Sequence, residues 1–241
     1  MIHYHGTPVS GRNIDPIRFL TGRHALVPFP RKDNLGVVAE VCQSFVFDNG
    51  AFSVWKSGKI LDVEAYTTWV DDWYRHPGFD WGLIPDVIDG NEDANDKLIE
   101  QWPAHLKNSG VPVWHLHESI ERLVRLSQSW RTVALGSSGE FASPGTKLWF
   151  QRMRTALSAI CDEQGRPACK LHGLRMLSPK IFMQLPLASA DSTNASVNAG
   201  SKSRFGMYVP PSAGQRAEVI ACRIEQHNSA SCFLKTPEEA S

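Results

Sequence analysis

The sequence predicts an α/β fold, a single (β/α)8-type TIM barrel, and three observations carry that expectation. Short apolar runs of strand length alternate with longer amphipathic segments, the order that builds a parallel sheet with crossover helices. Successive runs end on an acid, a histidine or a glycine turn, and a barrel of this kind places its site at the C-terminal ends of its strands. The 241 residues suit one barrel, and no GxGxxG follows the first strand, which weighs against an open dinucleotide-binding sheet.

The elements follow in order. MIHYH (1–5) is the first strand and SFVFD (44–48) the next, before a helix over residues 62–75. WGLIPD (81–86) precedes a helix over 92–107, and VPVWHLH (111–117) precedes one over 119–130. In that helix Ile120, Leu123, Val124 and Leu126 recur at helical spacing. TVALG (132–136), a helix over 145–161, KLHGL (170–174) and MQLPLASAD (183–191) complete seven strands. An eighth, less regular strand is expected over 204–209. The Ser-, Ala-, Asn- and Gly-rich stretch 189–203 reads as a long loop. The barrel is expected to fill residues 1–235, with a frayed tail over 236–241.

Composition narrows the function classes. Lys plus Arg number 25 and Asp plus Glu 25, a formal net charge of zero. A basic nucleic-acid coat is absent, so any phosphate contact must come from a local patch. The five cysteines, Cys42, Cys161, Cys169, Cys222 and Cys232, show no CxxC spacing. They indicate reduced thiols rather than disulfides or a zinc knuckle. MIHYHGTPVSG lacks the layout of a secretion signal, and no apolar run approaches the ~20 residues of a membrane span. A soluble, cytoplasmic chain is expected.

The residues at the strand ends are His5, Asp48, Asp86, His115 with His117, Gly136 with Ser137, His172 and Asp191. Each has a structural alternative. Asp48 could cap a helix, and Asp86, Asp89 and Asn91 could cap the helix that follows them. His3 and His5 flank Tyr4 and point the same way. An HxH on a first barrel strand is also how metal-dependent hydrolases hold their ions, with His115, His117, His172 and Asp191 to complete the set. The tryptophans, among them Trp69, Trp73, Trp81 and Trp114, read mostly as packing.

Taken in order, these motifs resemble the queuine-type tRNA-guanine transglycosylases. Asp48-Asn49-Gly50-Ala51-Phe52 is similar to that family's Asp-Ser-Gly-Gly-(Phe/Tyr) turn. Asp86 stands where the family has a base-reading aspartate, and His115 where it has a glutamine. Gly136-Ser137-Ser138-Gly139-Glu140 is similar to its glycine loop ending in Gly-Glu. HGLRM at 172–176 resembles its Met-Gly-Val-Gly strand end, with His172 in the methionine's place. Asp191, in SADSTN, matches the aspartate that becomes attached to the sugar. The likeness covers about residues 40–195. The family's CxCxxC zinc site is missing, so the chain looks more like the short DNA-acting DpdA group, which exchanges guanine in DNA for a 7-deazaguanine such as 7-cyano-7-deazaguanine, without zinc or other cofactor.

The resemblance implies a chemistry that can be checked against the residues. Exchanging a base on an intact sugar passes through an oxocarbenium-like state, which a carboxylate beneath C1′ stabilises and then captures. Asp191 is expected to be that nucleophile and Asp48 the acid/base. Asp86 suits the paired N–H donors of guanine. The Ser137 backbone and His115 suit its O6, and Phe52 and His172 its faces, with Asn49 and Gly136 also expected to bind the base. The small residues after Asp48 would let a purine lie against the backbone. The partners implied are DNA presenting a flipped or unpaired guanine and the free 7-deazaguanine. Between residues 196 and 235, Lys202, Arg204, Arg216, Arg223 and Lys235 outnumber Glu218 and Glu225, a candidate phosphate groove. A tRNA-acting transglycosylase, the barrel hydrolase with its histidine-held metal, and a non-catalytic nucleic-acid-binding barrel remain the alternatives.

Overall fold

The computed structural model of the chain describes residues 1–7 and 19–234. Its strands are β1 (Ile2–Gly6), β2 (His24–Pro28), β3 (Ser44–Asp48), β4 (Phe79–Leu83), β5 (Gly110–Val111), β6 (Val113–His115), β7 (Thr132–Gly136), β8 (Lys170–Gly173) and β9 (Ser189–Ser192). They form one nine-stranded sheet in the order β5-β4-β3-β2-β1-β9-β8-β7-β6, with parallel pairing throughout.

The two edge strands of that sheet, β5 and β6, are separated in sequence only by Pro112. A proline has no N–H to offer the ladder, so the strand is interrupted there. Residues 110–111 pair with β4, and residues 113–115 pair with β7. The Ala134 N–H donates to the Pro112 carbonyl at 2.9 Å, which carries the ladder across the break. The sheet therefore curls almost closed into a TIM-like barrel.

The helices are α1 (Leu35–Val41), α2 (Ala51–Ser57), α3 (Val63–Trp73), α4 (Glu92–Glu100), α5 (Ile120–Ser129), α6 (Lys147–Ile160), α7 (Pro179–Phe182), α8 (Asn194–Asn198) and α9 (Ala213–Glu225). Side chains of Asp62, Asn91, Ser119, Thr146 and Ser212 accept the first free N–H groups of α3, α4, α5, α6 and α9. Such caps are worth about 1 kcal/mol each. Asn91, not Asp86 or Asp89, caps α4, and this leaves Asp86 for another role.

Parallel strands are buried on both faces, and here the two faces have different occupants. Outward residues such as Phe45, Phe47, Val133 and Leu171 join Trp69, Trp114 and Trp149 in the layer between barrel and helices. Phe47 stacks on Trp69 at 3.7 Å. Inward residues form two smaller clusters, Tyr4 with Leu26 and Val46, and Leu83 with Val111, Val113 and Ala134.

Three expectations are corrected. The remaining strand is β2, HALVP, early in the chain, whereas 204–209 holds the end of a 3-10 turn (Lys202–Phe205) and no strand. HALVP has only three apolar residues between His24 and Pro28, too short a run to stand out by periodicity. The stretch 189–203 is not a long loop but contains β9 and α8. Only the last residues of MQLPLASAD are strand, because Leu185 and Leu187 turn into the core after α7. The expected frayed tail and Lys235 lie outside the described residues. Among the described residues no helix is long and apolar enough to cross a membrane.

Candidate active site

The C-terminal ends of the strands surround a pocket of about 90 Å³ whose wall includes Asp48, Asp86, His115, Ser137 and Asp191. Residues from widely separated runs of the sequence thus meet in one place, together with Asn49, Phe52 and Gly136.

The turn after β3 is built by its own side chains. Asp48 accepts the Gly50 N–H at 3.0 Å, and Asn49 accepts the Ala51 N–H at 2.8 Å. Gly50 has φ +79°, and a Cβ there would meet the Pro30 ring at 2.5 Å. Gly50 is therefore required by the backbone and by Pro30, a different reason from room for a purine. Asn49 is buried, and its Nδ2 donates to the Ile84 carbonyl at 3.0 Å and to Asp86 Oδ1 at 2.8 Å. Its hydrogen-bonding groups are engaged, so it positions Asp86 rather than reading a base. Burial pushes the Asp48 carboxyl up to about 7; the Gly50 N–H opposes this, while the Asp191 and Asp86 carboxylates add to it. Asp48 can thus hold or release a proton near neutrality.

Asp86 makes its second contact with His115, Oδ2 to Nε2 at 2.9 Å. His115 is held from behind by a buried network that sequence reasoning missed. Glu118 accepts the His115 backbone N–H at 2.8 Å and the Arg122 guanidinium at 2.6 Å, and Asn95 donates to it at 2.8 Å. The Nδ1 of His115 is buried and has no hydrogen-bond partner among the described residues. Gly136 lies beside it, since a Cβ there would come within 2.8 Å of Nδ1. His115 thus lines the pocket with its Nε2 paired to Asp86. Ser137 lines the pocket, and its hydroxyl accepts the Trp149 indole N–H at 2.9 Å, which fixes the oxygen and leaves both its O–H and its backbone N–H as donors.

Asp191 is held by a backbone N–H and has a buried histidine beside it. Its Oδ1 accepts the Arg175 backbone N–H at 3.0 Å and lies 3.3 Å from His172 Nε2. His172 itself is fully buried, with Nδ1 on the Ser189 hydroxyl at 2.8 Å and its ring edge-on to Trp81 at 4.7 Å. It stands beneath Asp191 inside the barrel rather than at the pocket wall, so it does not cover a base; its buried Nε2 approaches Asp191 without a hydrogen bond among the described residues. Arg175 was not singled out from sequence. It is the one described non-glycine residue with positive φ, +59°, and its guanidinium lies 4.3 Å over the Phe52 ring at the pocket mouth. No sequence signal marks this conformation, which for a non-glycine residue costs energy and tends to collect at functional positions.

No family model, curated protein or solved structure matches this chain. Function must therefore be argued from what the pocket can do.

Other candidates do not reach the pocket. Because Tyr4 faces the barrel interior, His3 and His5 face outward. His3 contacts the His227 carbonyl at 3.0 Å and His5 contacts Glu225 at 2.8 Å. They cannot converge with His115 and Asp191, and among the described residues no three His, Cys, Asp or Glu side chains gather as a metal cage. The hydrolase layout is not formed. His117 turns away to the Ser138 hydroxyl and the Gly90 carbonyl, and Glu140 is exposed.

The basic stretch also divides. Arg216 is buried, and its guanidinium donates to the carbonyls of Ala199, Pro210 and Pro211, so it ties α9 to the preceding loop and is not a phosphate contact. Lys202, Arg204 and Arg223 are exposed. Arg223 sits in the last turn of α9, two residues before Glu225, which pairs with Arg23 at the foot of β2. It is not part of the pocket lining, and with Arg216 buried the four residues do not make one groove. Among the described residues, Arg175 is the arginine or lysine that lines the pocket itself.

Proposed function

We propose that this barrel is a guanine transglycosylase acting on DNA, replacing guanine by a 7-deazaguanine through a covalent aspartyl-sugar intermediate. One observation carries the reading: a single pocket holds a carboxyl pushed up to about 7, Asp48, and a second, Asp191, fixed by a backbone N–H at 3.0 Å, three strands away around the barrel. Two carboxyl groups with separate duties are what retaining glycosyl transfer requires.

In this mechanism Asp191 attacks C1′ of the target nucleotide as the bond to the base breaks. Its second oxygen, without a hydrogen bond among the described residues, does so while Oδ1 stays on the Arg175 N–H. Asp48 gives its proton to the departing guanine, which leaves with the bonding electron pair. The incoming 7-deazaguanine then loses a proton to Asp48 and displaces Asp191, restoring the configuration at C1′. Asp86 keeps lone pairs beyond those used by Asn49 and His115, and accepts the adjacent N–H donors of the base. The Ser137 backbone N–H serves O6. Phe52 offers a face for the base once the Arg175 guanidinium moves off it, and that guanidinium is then available for a flanking phosphate. DNA is thus the macromolecular partner and the free deazaguanine the second substrate, with no cofactor in the scheme.

The test is incubation with guanine-containing DNA and matched RNA plus labelled 7-deazaguanines, with acid quench to capture the protein–nucleic acid adduct. Label entering DNA, and an adduct on Asp191, are expected. Label entering RNA alone would make the enzyme a tRNA-type transglycosylase. No label in either and no adduct would sink the proposal.

A further inference from the structure

The opposite, N-terminal mouth of the barrel opens into a cavity of about 570 Å³, a size typical of small-molecule sites. Its rim carries Lys107, Arg131 and Lys170, all exposed. Arg131 and Lys170 enter adjacent strands, joined by the Lys170 N–H on the Arg131 carbonyl at 3.0 Å. Among the described residues none of the three cations is paired with a carboxylate. Lys107 instead lies 5.9 Å over the ring of Trp130. Three unpaired cations around one opening make a favourable place for an anion.

Two further features narrow the ligand. Trp81 and Trp130, both half-buried, line the cavity and offer flat apolar faces. Asp80, exposed, lines the same cavity. Its Oδ2 accepts the hydroxyls of Tyr4, at 2.7 Å, and Ser44, and the Ser44 oxygen is 2.7 Å from His24 Nδ1. Asp80 is thereby fixed, with Oδ1 left unpartnered among the described residues. A small inorganic anion would meet the cations but also this carboxylate, which repels it. A neutral aromatic molecule would use the indoles and leave the cations idle. A ligand that suits all three is anionic at one end, and flat and hydrogen-bond-donating at the other.

We propose that the N-terminal mouth is a nucleotide-binding site, separate from the Asp191 pocket, that takes a nucleoside monophosphate. The phosphate sits among Lys107, Arg131 and Lys170, the base lies against an indole face, and an exocyclic amine donates to Asp80 Oδ1. The site does not depend on the base-exchange reading.

Calorimetric titration of the intact protein with AMP, adenosine and inorganic phosphate tests this. AMP should bind, with adenosine and phosphate each about tenfold or more weaker, because each forfeits one set of contacts. The double variant Arg131→Glu/Lys170→Glu should lose AMP binding by about tenfold or more, and circular dichroism would confirm its fold. In the unaltered protein, AMP should shift the indole N–H resonances of Trp81 and Trp130 and leave that of Trp55, beside the other mouth, in place. Phosphate binding as tightly as AMP would reduce the site to an anion site and overturn the proposal. So would AMP binding that survives the charge reversal, a shift at Trp55 instead of Trp81 and Trp130, or no binding at all.

Discussion

The backbone N–H of Arg175 donates to Asp191 Oδ1 at 3.0 Å from a residue held at φ +59°. The conformation that strains one residue is the one that aims its N–H at the other. Substituting glycine, which adopts this backbone freely, separates the two effects. Arg175→Gly should be as stable as the parent or up to about 1 kcal/mol more stable, since the Asp191 contact comes from the main chain. It should bind DNA more weakly and with a shallower salt dependence, having lost the guanidinium. Urea unfolding and a salt titration of binding give both numbers. A loss of stability in the glycine variant would show that the Phe52 contact outweighs the strain.

Asp48 predicts a pH dependence of stability. A carboxyl whose folded value is about 7 instead of 3.8 favours folding when protonated. Its contribution is complete below about pH 4, falls as pH rises, and is gone above about pH 7. Asp48→Asn keeps an oxygen for the Gly50 N–H and removes the titration. The variant should gain on the parent between pH 4 and 8 by about 2–4 kcal/mol, discounted for water entering the pocket. Denaturant midpoints at the two pH values check it, and equal differences at both would contradict the raised value.

Asn49 joins three points, the Ile84 carbonyl, Asp86 and the Ala51 N–H. Asn49→Ala leaves a buried carbonyl and an N–H unsatisfied, which should cost about 2–3 kcal/mol. It should also raise the KM for the base more than it lowers kcat, because Asp86 loses its alignment. Stability loss with an unchanged KM would confine Asn49 to folding.

For the nucleic-acid contacts, Arg216→Ala should lower stability by about 1–3 kcal/mol and leave the salt slope of DNA binding alone. Lys202→Ala and Arg204→Ala should do the reverse, each flattening the slope by roughly one unit or less. Melting curves and salt titrations on the three variants distinguish the roles. A flattened slope for Arg216→Ala would mean that its carbonyl contacts open on binding.

The sequence shows which strands end on polar residues, and that was enough to gather Asp48, Asp86, His115, Ser137 and Asp191 in advance. Alternation along a strand gives the side a residue faces but not its depth in the barrel. His172 shares its inward direction with wall residues yet stands below them, under Asp191. His3 and His5 share a direction too, and that direction is set by Tyr4, the more apolar neighbour, entering the core. Charge counting had a similar blind spot at Arg216. It stands four residues before Ile220 on the face of α9 that also buries Ala217, Ala221 and Ile224. Reading that spacing as a helix would have placed it inside. Arg175 left no trace, because a backbone angle above zero in an arginine is imposed by its surroundings and has no local signature.

Pro112 bears on the order of assembly. Strands β1–β5 and β6–β9 are each a consecutive run in which neighbours in space follow in sequence, so each half-barrel can zip up through short loop closures. Joining the halves takes one distant closure, β1 on β9, and one at the proline, where only two register pairs lie on one side and three on the other. The distant closure carries the larger entropic cost and comes late. Asp48 and Asp86 belong to the first half, and His115 and Asp191 to the second. A nascent or half-formed chain therefore keeps Asp48 and Asp191 apart, and the pocket they share is complete only when the last seam has shut.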